Sequence, residues 1–278
     1  MTGGLTAALD RIAGADRLLV TLDFDGVLAP LVDDPSASRP LPGSADAVRR
    51  LAGLDATTVV LVSGRGRDDL AAVSGFGPPI GLVGSHGAEF DAQLSALLGR
   101  GGLLDEAQAR RRSALIEGLR ELVDGTPGSR LETKPAGAAV HVRGMEPAAG
   151  AALLERVGAE WVRDGIEATA GKDVLDLTVL RTTKGAAVAA LREALGAGPV
   201  LFAGDDITDE TVFGTLTGDD VGIKVGDGDT AAGYRVADPQ ELGRLLHRLA
   251  DARAAGIRAA GTRADGIRAD GIRSEPAP

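Results

Sequence analysis

Polar clusters at the ends of apolar runs mark where this chain could do chemistry. Asp23-Phe24-Asp25-Gly26 follows the run 18–22, Ser63-Gly64-Arg65 follows 57–62, Gly204-Asp205-Asp206 follows 199–203, and Lys184-Gly185 opens a helical stretch. Side chains alternate along an extended segment, so Asp23 and Asp25 fall on one side where a strand opens into a loop. Like charges at the end of a buried strand repel unless a cation or a shared proton relieves them. A divalent metal is the simplest relief. The plainer alternative is a turn in which one Asp caps a helix and the other is solvated, and the motif by itself does not choose. If a metal binds, oxygen donors suit Mg²⁺ far better than zinc. The chain has three His and no Cys, too few ligands for a typical zinc site.

These clusters need elements to hold them. The runs before them are continuously apolar, as expected of parallel strands covered on both faces. The fold class expected is α/β, a Rossmann-like doubly wound parallel sheet, in which ligands bind beyond the carboxyl ends of the strands. Helices are expected over 5–13, over 45–53 with Ser44 as N-cap, over 66–73, 184–195 and 208–216, and from Pro239 to about Arg253. The stretch 29–42, with Pro30, Pro35, Pro40 and Pro42, reads as a loop. From about residue 104 the character changes. An amphipathic helix over 105–124 carries Leu115, Leu119 and Leu122 on one face. An alternating strand over 139–143, a helix from Pro147 to about 163 and a strand over 173–180 then suggest an inserted α+β module. The domains expected are core over 1–103, inserted cap over 104–180, core again over 181–252, and a tail over 253–278. In the tail, Arg253, Arg258, Arg263, Arg268 and Arg273 recur every five residues with regular glycines. That period fits neither helix nor strand, so a disordered low-complexity segment is expected there, the alternative being a weak interaction segment.

The 278 residues carry a net charge of −10, which argues against nucleic acid or an anionic membrane surface as the main partner. Without Cys, a disulfide framework and a thiolate nucleophile are both excluded. The start, Met1-Thr2-Gly3-Gly4-Leu5, has no basic segment followed by an apolar core, and no apolar run approaches membrane-spanning length. A soluble, cytoplasmic protein is expected.

Taken together and in this order, Asp23-Phe24-Asp25-Gly26-Val27-Leu28, Val62-Ser63-Gly64-Arg65, Lys184-Gly185 and Gly204-Asp205-Asp206 with Asp209 resemble the haloacid dehalogenase superfamily of aspartate-nucleophile phosphohydrolases. More narrowly the chain resembles the trehalose-6-phosphate phosphatases. That resemblance rests on Gly84-Ser85-His86-Gly87-Ala88-Glu89, Glu132-Thr133-Lys134, Val140-His141-Val142-Arg143, the run Gly171 to Asp176, and Gly204-Asp205-Asp206-Ile207-Thr208-Asp209-Glu210. It covers about residues 15 to 250 and not the tail.

The resemblance implies an enzyme hydrolysing trehalose 6-phosphate, with Asp23 as nucleophile and Asp25 as acid-base. Ser63 and Lys184 would bind the phosphoryl group. Mg²⁺ would be held by the Asp23 carboxylate, the Asp25 main-chain carbonyl and the Asp205 carboxylate, with Asp206 and Asp209 behind them. Gly26, Gly64, Arg65, His86, Glu89, Glu132, Lys134, Arg143 and Asp176 are the substrate-binding candidates, with Glu132 and Lys134 foremost. The implied partners are a small sugar phosphate and the synthase that supplies it. Asp176 stands where the family pattern has Glu, and Arg181-Thr182-Thr183 departs from an Arg-Pro lead-in.

Each residue alone has an ordinary reading: Ser63 a turn residue, Lys184 a solvated helix start, Asp205-Asp206 a turn pair. Their joint order outweighs those readings. For His86 a backbone hydrogen bond and a substrate contact stay equally open. His141 reads as structural, His247 as a surface residue, and Arg65 either reaches the ligand or pairs with a nearby carboxylate. The competing functions are a phosphatase for another sugar phosphate, such as sucrose or mannosylglycerate phosphate, and a non-catalytic sugar-phosphate sensor.

Overall fold

The computed structural model describes residues 2–99, 104–180 and 182–270. In chain order the elements are α1 (Thr2–Ala13), β1 (Leu18–Leu22), α2 (Pro42–Ala52), β2 (Thr57–Val62), α3 (Arg67–Ser74), β3 (Gly81–Gly84), β4 (Glu89–Phe90), α4 (Ala92–Leu97), α5 (Glu106–Asp124), β5 (Arg130–Lys134) and β6 (Gly137–His141). They continue with α6 (Pro147–Trp161), β7 (Glu167–Gly171), β8 (Val174–Thr178), α7 (Lys184–Leu195), β9 (Val200–Gly204), α8 (Glu210–Phe213), β10 (Val221–Val225), β11 (Tyr234–Val236) and α9 (Pro239–Asp270). The chain forms two compact units, Met1–Gly87 with Lys184–Pro278, and Ala88–Thr183. Among the described residues no helix is long and apolar enough to cross a membrane.

In the first unit the strand order is β11-β10-β9-β1-β2-β3, with every pairing parallel. The central strand β1 is buried along its whole length, which explains its unbroken apolar run. Val20, Leu22, Leu61, Leu201 and Ile223 pack with Leu9 and Ile12 of α1, Leu51 of α2, and Leu246 and Leu249 of α9. Each such side chain contributes about 1.5–3 kcal/mol on burial. The register pairs Leu22 with Leu61 of β2 and with Ala203 of β9. Asp23, Ser63 and Asp205 therefore emerge within two residues of one sheet edge.

In the second unit the antiparallel order is β5-β6-β8-β7. One face carries Val140, Leu175 and Leu177 against Leu115 and Leu119 of α5 and Leu153 and Val157 of α6. The residues between them form the open face. Both edge strands, β5 and β7, were unexpected from the sequence: neither has a buried residue, one being mostly polar and the other rich in small residues, so no apolar run marks them.

Two further expectations are corrected. Helix α2 starts at Pro42, whose missing N–H costs nothing in the first turn, and Ser44 lies buried within the helix rather than capping it. Residues 253–270 continue α9 instead of forming a disordered tail, while 271–278 lie outside the described residues. Ala and Arg are strong helix formers, and a five-residue period simply rotates by about 140° per repeat on a helix.

The continuation begins at a buried anchor. Arg253 is 2% exposed and donates to the carbonyls of Ala13 at 3.1 Å, Ala56 at 2.9 Å and Asp16 at 3.5 Å, to that of Ala15, and to Thr57 Oγ1 at 3.1 Å. These bonds fasten α9 to the end of α1 and the start of β2. Arg253→Met keeps the apolar stem but leaves buried carbonyls without donors, so a loss of about 3 kcal/mol is expected in urea unfolding. A change within about 0.5 kcal/mol would show that the anchor is dispensable.

Candidate active site

A cleft of about 670 Å³ opens over the carboxyl ends of β1, β2 and β9, lined by Asp23, Asp25, Ser63, Arg65, Lys184 and Asp205 among others. Asp23 is 5% exposed, and its Oδ1 accepts the Phe24 N–H at 2.7 Å. Its Oδ2 lies 2.9 Å from Nζ of Lys184, which also donates to Asp209 Oδ1 at 2.7 Å. The other oxygen of Asp209 accepts the N–H groups of Asp205 and Asp206, each at 2.9 Å. Asp209 thus shapes the β9 turn and orients the lysine. Asp206 caps the following short helical turn by accepting the Ile207 N–H at 2.5 Å.

Gly26 makes the crowding possible. Its φ is +73°, and a Cβ there would sit 1.9 Å from Asp205 Oδ2. Only a glycine lets the β1 turn curl this closely over the β9 carboxylate.

The charges are under strain. Burial pushes the Asp23 carboxyl up to about 7, reinforced by Asp209 and opposed by Lys184. Burial, with the charges of Asp209 and Asp206, pushes Asp205 up to about 6. Burial alone would lower the Lys184 pKa, yet Asp23 and Asp209 hold it above its ordinary value. Negative charge here is undercompensated by the protein. Asp23, Asp205 and Asp209 each offer a carboxylate oxygen, all within 4.8 Å of one another. The donors are all hard oxygens, so this set fits a small divalent cation. Asp209 already accepts three hydrogen bonds, two of them on one oxygen, whereas each oxygen of Asp23 meets one donor, so Asp23 and Asp205 keep more acceptor room for an ion.

Arg65 pairs with carboxylates. Its Nε and Nη2 meet Asp25 Oδ2 and Oδ1 at 2.6 and 2.9 Å, and Nη1 meets Asp69 Oδ2 at 2.8 Å. The turn 85–87 is tied to the β2 exit, because the Ser85 N–H donates to Arg65 O at 2.7 Å and the His86 N–H to Ser63 O at 2.9 Å. Ser85 and His86 both have positive φ, at 48° and 54°, an uncommon conformation for side-chain-bearing residues. The imidazole lies so close to Gly64 that a Cβ there would sit 2.5 Å from the ring.

The remaining candidates belong to the second unit. Glu132 Oε2 meets His141 Nε2 at 2.8 Å, and Lys134 Nζ meets Asp176 Oδ2 at 2.6 Å. Strand register places all four on the open face. Arg143 is exposed, just beyond β6, and Glu89 is half-buried in β4. Thr182 and Thr183 precede α7, and Arg181 lies outside the described residues.

Sequence reasoning missed Lys224. Its side chain is 4% exposed and donates to Asp205 O at 2.5 Å, placing a second cation behind the β9 turn. The signal was present: a lone lysine inside the apolar run Val221-Gly222-Ile223-Lys224-Val225. Ser38 was missed as well. It is wholly buried and donates to Asp25 Oδ1 at 2.8 Å.

A parallel sheet that gathers an aspartate, a second aspartate two residues on, a serine, a lysine and an acidic turn over its strand ends defines the haloacid dehalogenase class. Within it, the family model described as Trehalose-phosphatase matches residues 21–240, and the chain belongs to that family. It is 35% identical to a bifunctional trehalose-6-phosphate synthase/phosphatase of Thermoproteus tenax, over 85% of this chain and 32% of the relative. It is 34% identical to a trehalose-phosphate phosphatase of Mycobacterium avium, over 91% of this chain and 66% of the relative. The chain therefore spans about a third and two thirds of these relatives' lengths. Among solved structures, the trehalose-6-phosphate phosphatase of Aspergillus fumigatus superposes with a TM-score of 0.62 at 25% identity, covering 88% of this chain and 97% of that one.

The raised carboxyls give a pH signature. Asp23 at about 7 and Asp205 at about 6 lie above their ordinary 3.8, so the folded protein keeps protons that the unfolded chain has released. Their contribution to stability is full below 3.8 and is lost as pH rises through 6 to 7. In chelator, Asp205→Asn is expected to gain thermal stability relative to wild type between about pH 4 and about pH 8. Adding Mg²⁺ at the upper end is expected to raise the melting temperature of wild type and not of the variant. A difference that ignores both pH and Mg²⁺ would contradict the charge imbalance.

Proposed function

We propose that the chain is a Mg²⁺-dependent phosphatase that converts trehalose 6-phosphate to trehalose and phosphate through an aspartyl-phosphate. The observation that carries this reading is the buried Asp23 carboxylate facing the Lys184 ammonium at 2.9 Å, in one cleft with Asp25, Ser63 and Asp205. An Oδ of Asp23 attacks phosphorus, and the bond from phosphorus to the sugar oxygen breaks. The departing oxygen takes the proton of the Asp25 carboxyl. Water then attacks phosphorus and gives its proton to the Asp25 carboxylate, while the bond to Asp23 breaks and returns its electron pair to that oxygen. The sum is ester plus water giving alcohol plus phosphate.

Lys184, fixed between Asp23 and Asp209, lies where it can neutralise phosphoryl oxygens, and Ser63 offers them a hydroxyl. The Asp23 and Asp205 carboxylates with the Asp25 carbonyl would hold Mg²⁺, and Lys224 steadies the Asp205 main chain. The cation would supply charge neutralisation for the transferring group. On the antiparallel sheet, Glu132, Lys134 and Asp176 are the groups for sugar hydroxyls, joined by His141 through its contact with Glu132. A cytoplasmic location and association with the synthase that makes the substrate complete the reading. The bifunctional name of the Thermoproteus relative supports the latter.

The test is phosphate release from trehalose 6-phosphate, with sucrose phosphate and mannosylglycerate phosphate alongside. Release is expected to require Mg²⁺ and to prefer the trehalose ester. Asp23→Asn should lower kcat by roughly 10⁴-fold or more, and Lys184→Ala by about 10²–10³-fold, assayed at a temperature where circular dichroism shows the destabilised lysine variant still folded. A preference for another ester would transfer the assignment to that substrate. Binding without release from any ester would make the protein a sensor.

A further inference from the structure

Asp25 is held more completely than an acid-base residue needs for charge alone. Arg65 Nε donates to its Oδ2 at 2.6 Å, Arg65 Nη2 to its Oδ1 at 2.9 Å, and Ser38 Oγ to Oδ1 at 2.8 Å. A carboxylate offers about four acceptor positions, two on each oxygen. Oδ1 is saturated, and among the described residues Arg65 Nε is the donor that meets Oδ2, which leaves it a second acceptor position.

The holder is itself held. Arg65 is 11% exposed in its side chain and lies over the Phe24 ring at 5.9 Å. Its Nη1 is engaged by Asp69 at 2.8 Å, and Nη2 also donates to Pro35 O at 2.8 Å. Four of the guanidinium's five N–H groups therefore face protein acceptors. Ser38 and Pro35 come from the same proline-rich loop, whose short helical turn is capped when Asp34 Oδ1 accepts the Ser36 N–H at 2.9 Å. The Ser38 N–H closes this turn on Pro35 O at 3.3 Å.

We propose that Arg65 is a positioning residue rather than a phosphate ligand: with Ser38 it fixes the Asp25 carboxyl so that Oδ2 is the oxygen that carries the transferable proton. This rests on the reading of Asp25 as acid-base. Proton transfer to a leaving oxygen needs one donor atom at one place, and a freely turning carboxyl would spend most of its time misdirected. The proline-rich loop, which no catalytic motif includes, becomes the part of the fold that aims the proton.

A series of substituted phenyl phosphates tests this without the sugar. A leaving group as acidic as p-nitrophenol departs without a proton, whereas phenol and alkyl alcohols need one. The ratio kcat/KM reports the step in which that group leaves. For Arg65→Met, kcat/KM is expected to stay within about threefold for p-nitrophenyl phosphate and to fall by about 10²-fold for phenyl phosphate. The dependence on leaving-group pKa is thereby steepened. Ser38→Ala removes one of the three bonds and should steepen it in the same direction by a smaller, several-fold factor. Added guanidinium should restore part of the loss in Arg65→Met. Equal losses across the series would make Arg65 a phosphate ligand and overturn the proposal. If Arg65→Met does not fold, the decision passes to Ser38→Ala, where an unchanged slope in a folded variant overturns it too. A wild-type protein that releases phosphate from no ester would sink the catalytic reading and this one with it. Activity with an unchanged slope in the variants would sink this one alone.

Discussion

Everything at the sheet edge depends on burying several carboxylates together without letting them repel the fold apart. The device is the ion pair of Lys184 with Asp23 and Asp209, all three side chains almost wholly buried. A buried ion pair is not in itself a source of stability, because desolvating each charge costs several kcal/mol. Removing one partner leaves the others uncompensated, and that is far more expensive. The arrangement is therefore better understood as a constraint: once Asp23 is placed at the end of β1, the lysine and Asp209 have to be where they are.

That constraint breaks a local rule. Lys184 is the first residue of α7, where the helix dipole disfavours a cation and where a lysine ordinarily reaches into solvent. It is 2% exposed instead. The dipole penalty and the desolvation are offset by two carboxylates within 3 Å, at 2.9 and 2.7 Å. Gly185 follows directly, and a Cβ there would lie 2.1 Å from Thr211 O, so the start of α7 can press against α8 and bring the ammonium inward. Places where local propensity yields to a tertiary demand of this kind are where function is expected.

Legibility in the sequence followed the same physics. The strands β1, β2 and β9 stood out because a strand covered on both faces must be apolar throughout. Edge strands β5 and β7 carry no such signature, and β11 has only three residues. Asp23, Asp25, Ser63, Lys184 and Asp205 were identifiable as a set because their order and spacing are tied to strand ends, and the structure brings them into one cleft. Their partnerships were less visible. Arg65 and Asp69 are four apart on the way into α3, a spacing that permits a pair, but nothing in sequence links Arg65 to Asp25, forty residues away, or Ser38 to the same carboxylate. Such contacts are set by how a loop folds back, which depends on backbone turns such as that of Asp34 and Ser36 rather than on any periodicity. The five-residue repeat misled for a related reason: its period is not helical, but its composition favours helix, and Arg253 supplies a tertiary anchor where the repeat begins.

The open face of the antiparallel sheet follows the opposite principle from the cleft. There carboxylates crowd faster than cations can balance them; here each has partners of its own, Glu132 with His141 and Arg130 and Asp176 with Lys134, and each pair stays partly exposed. Exposed pairs of this kind add little stability. Under the proposed function their value lies in chemistry, since each pair presents a donor and an acceptor side by side. Sugar hydroxyls both donate and accept, which is what the sugar-binding role proposed for this face would use. The shorter Asp176, where the family pattern has Glu, still reaches Lys134 at 2.6 Å because register holds it on the same face one strand beyond β6.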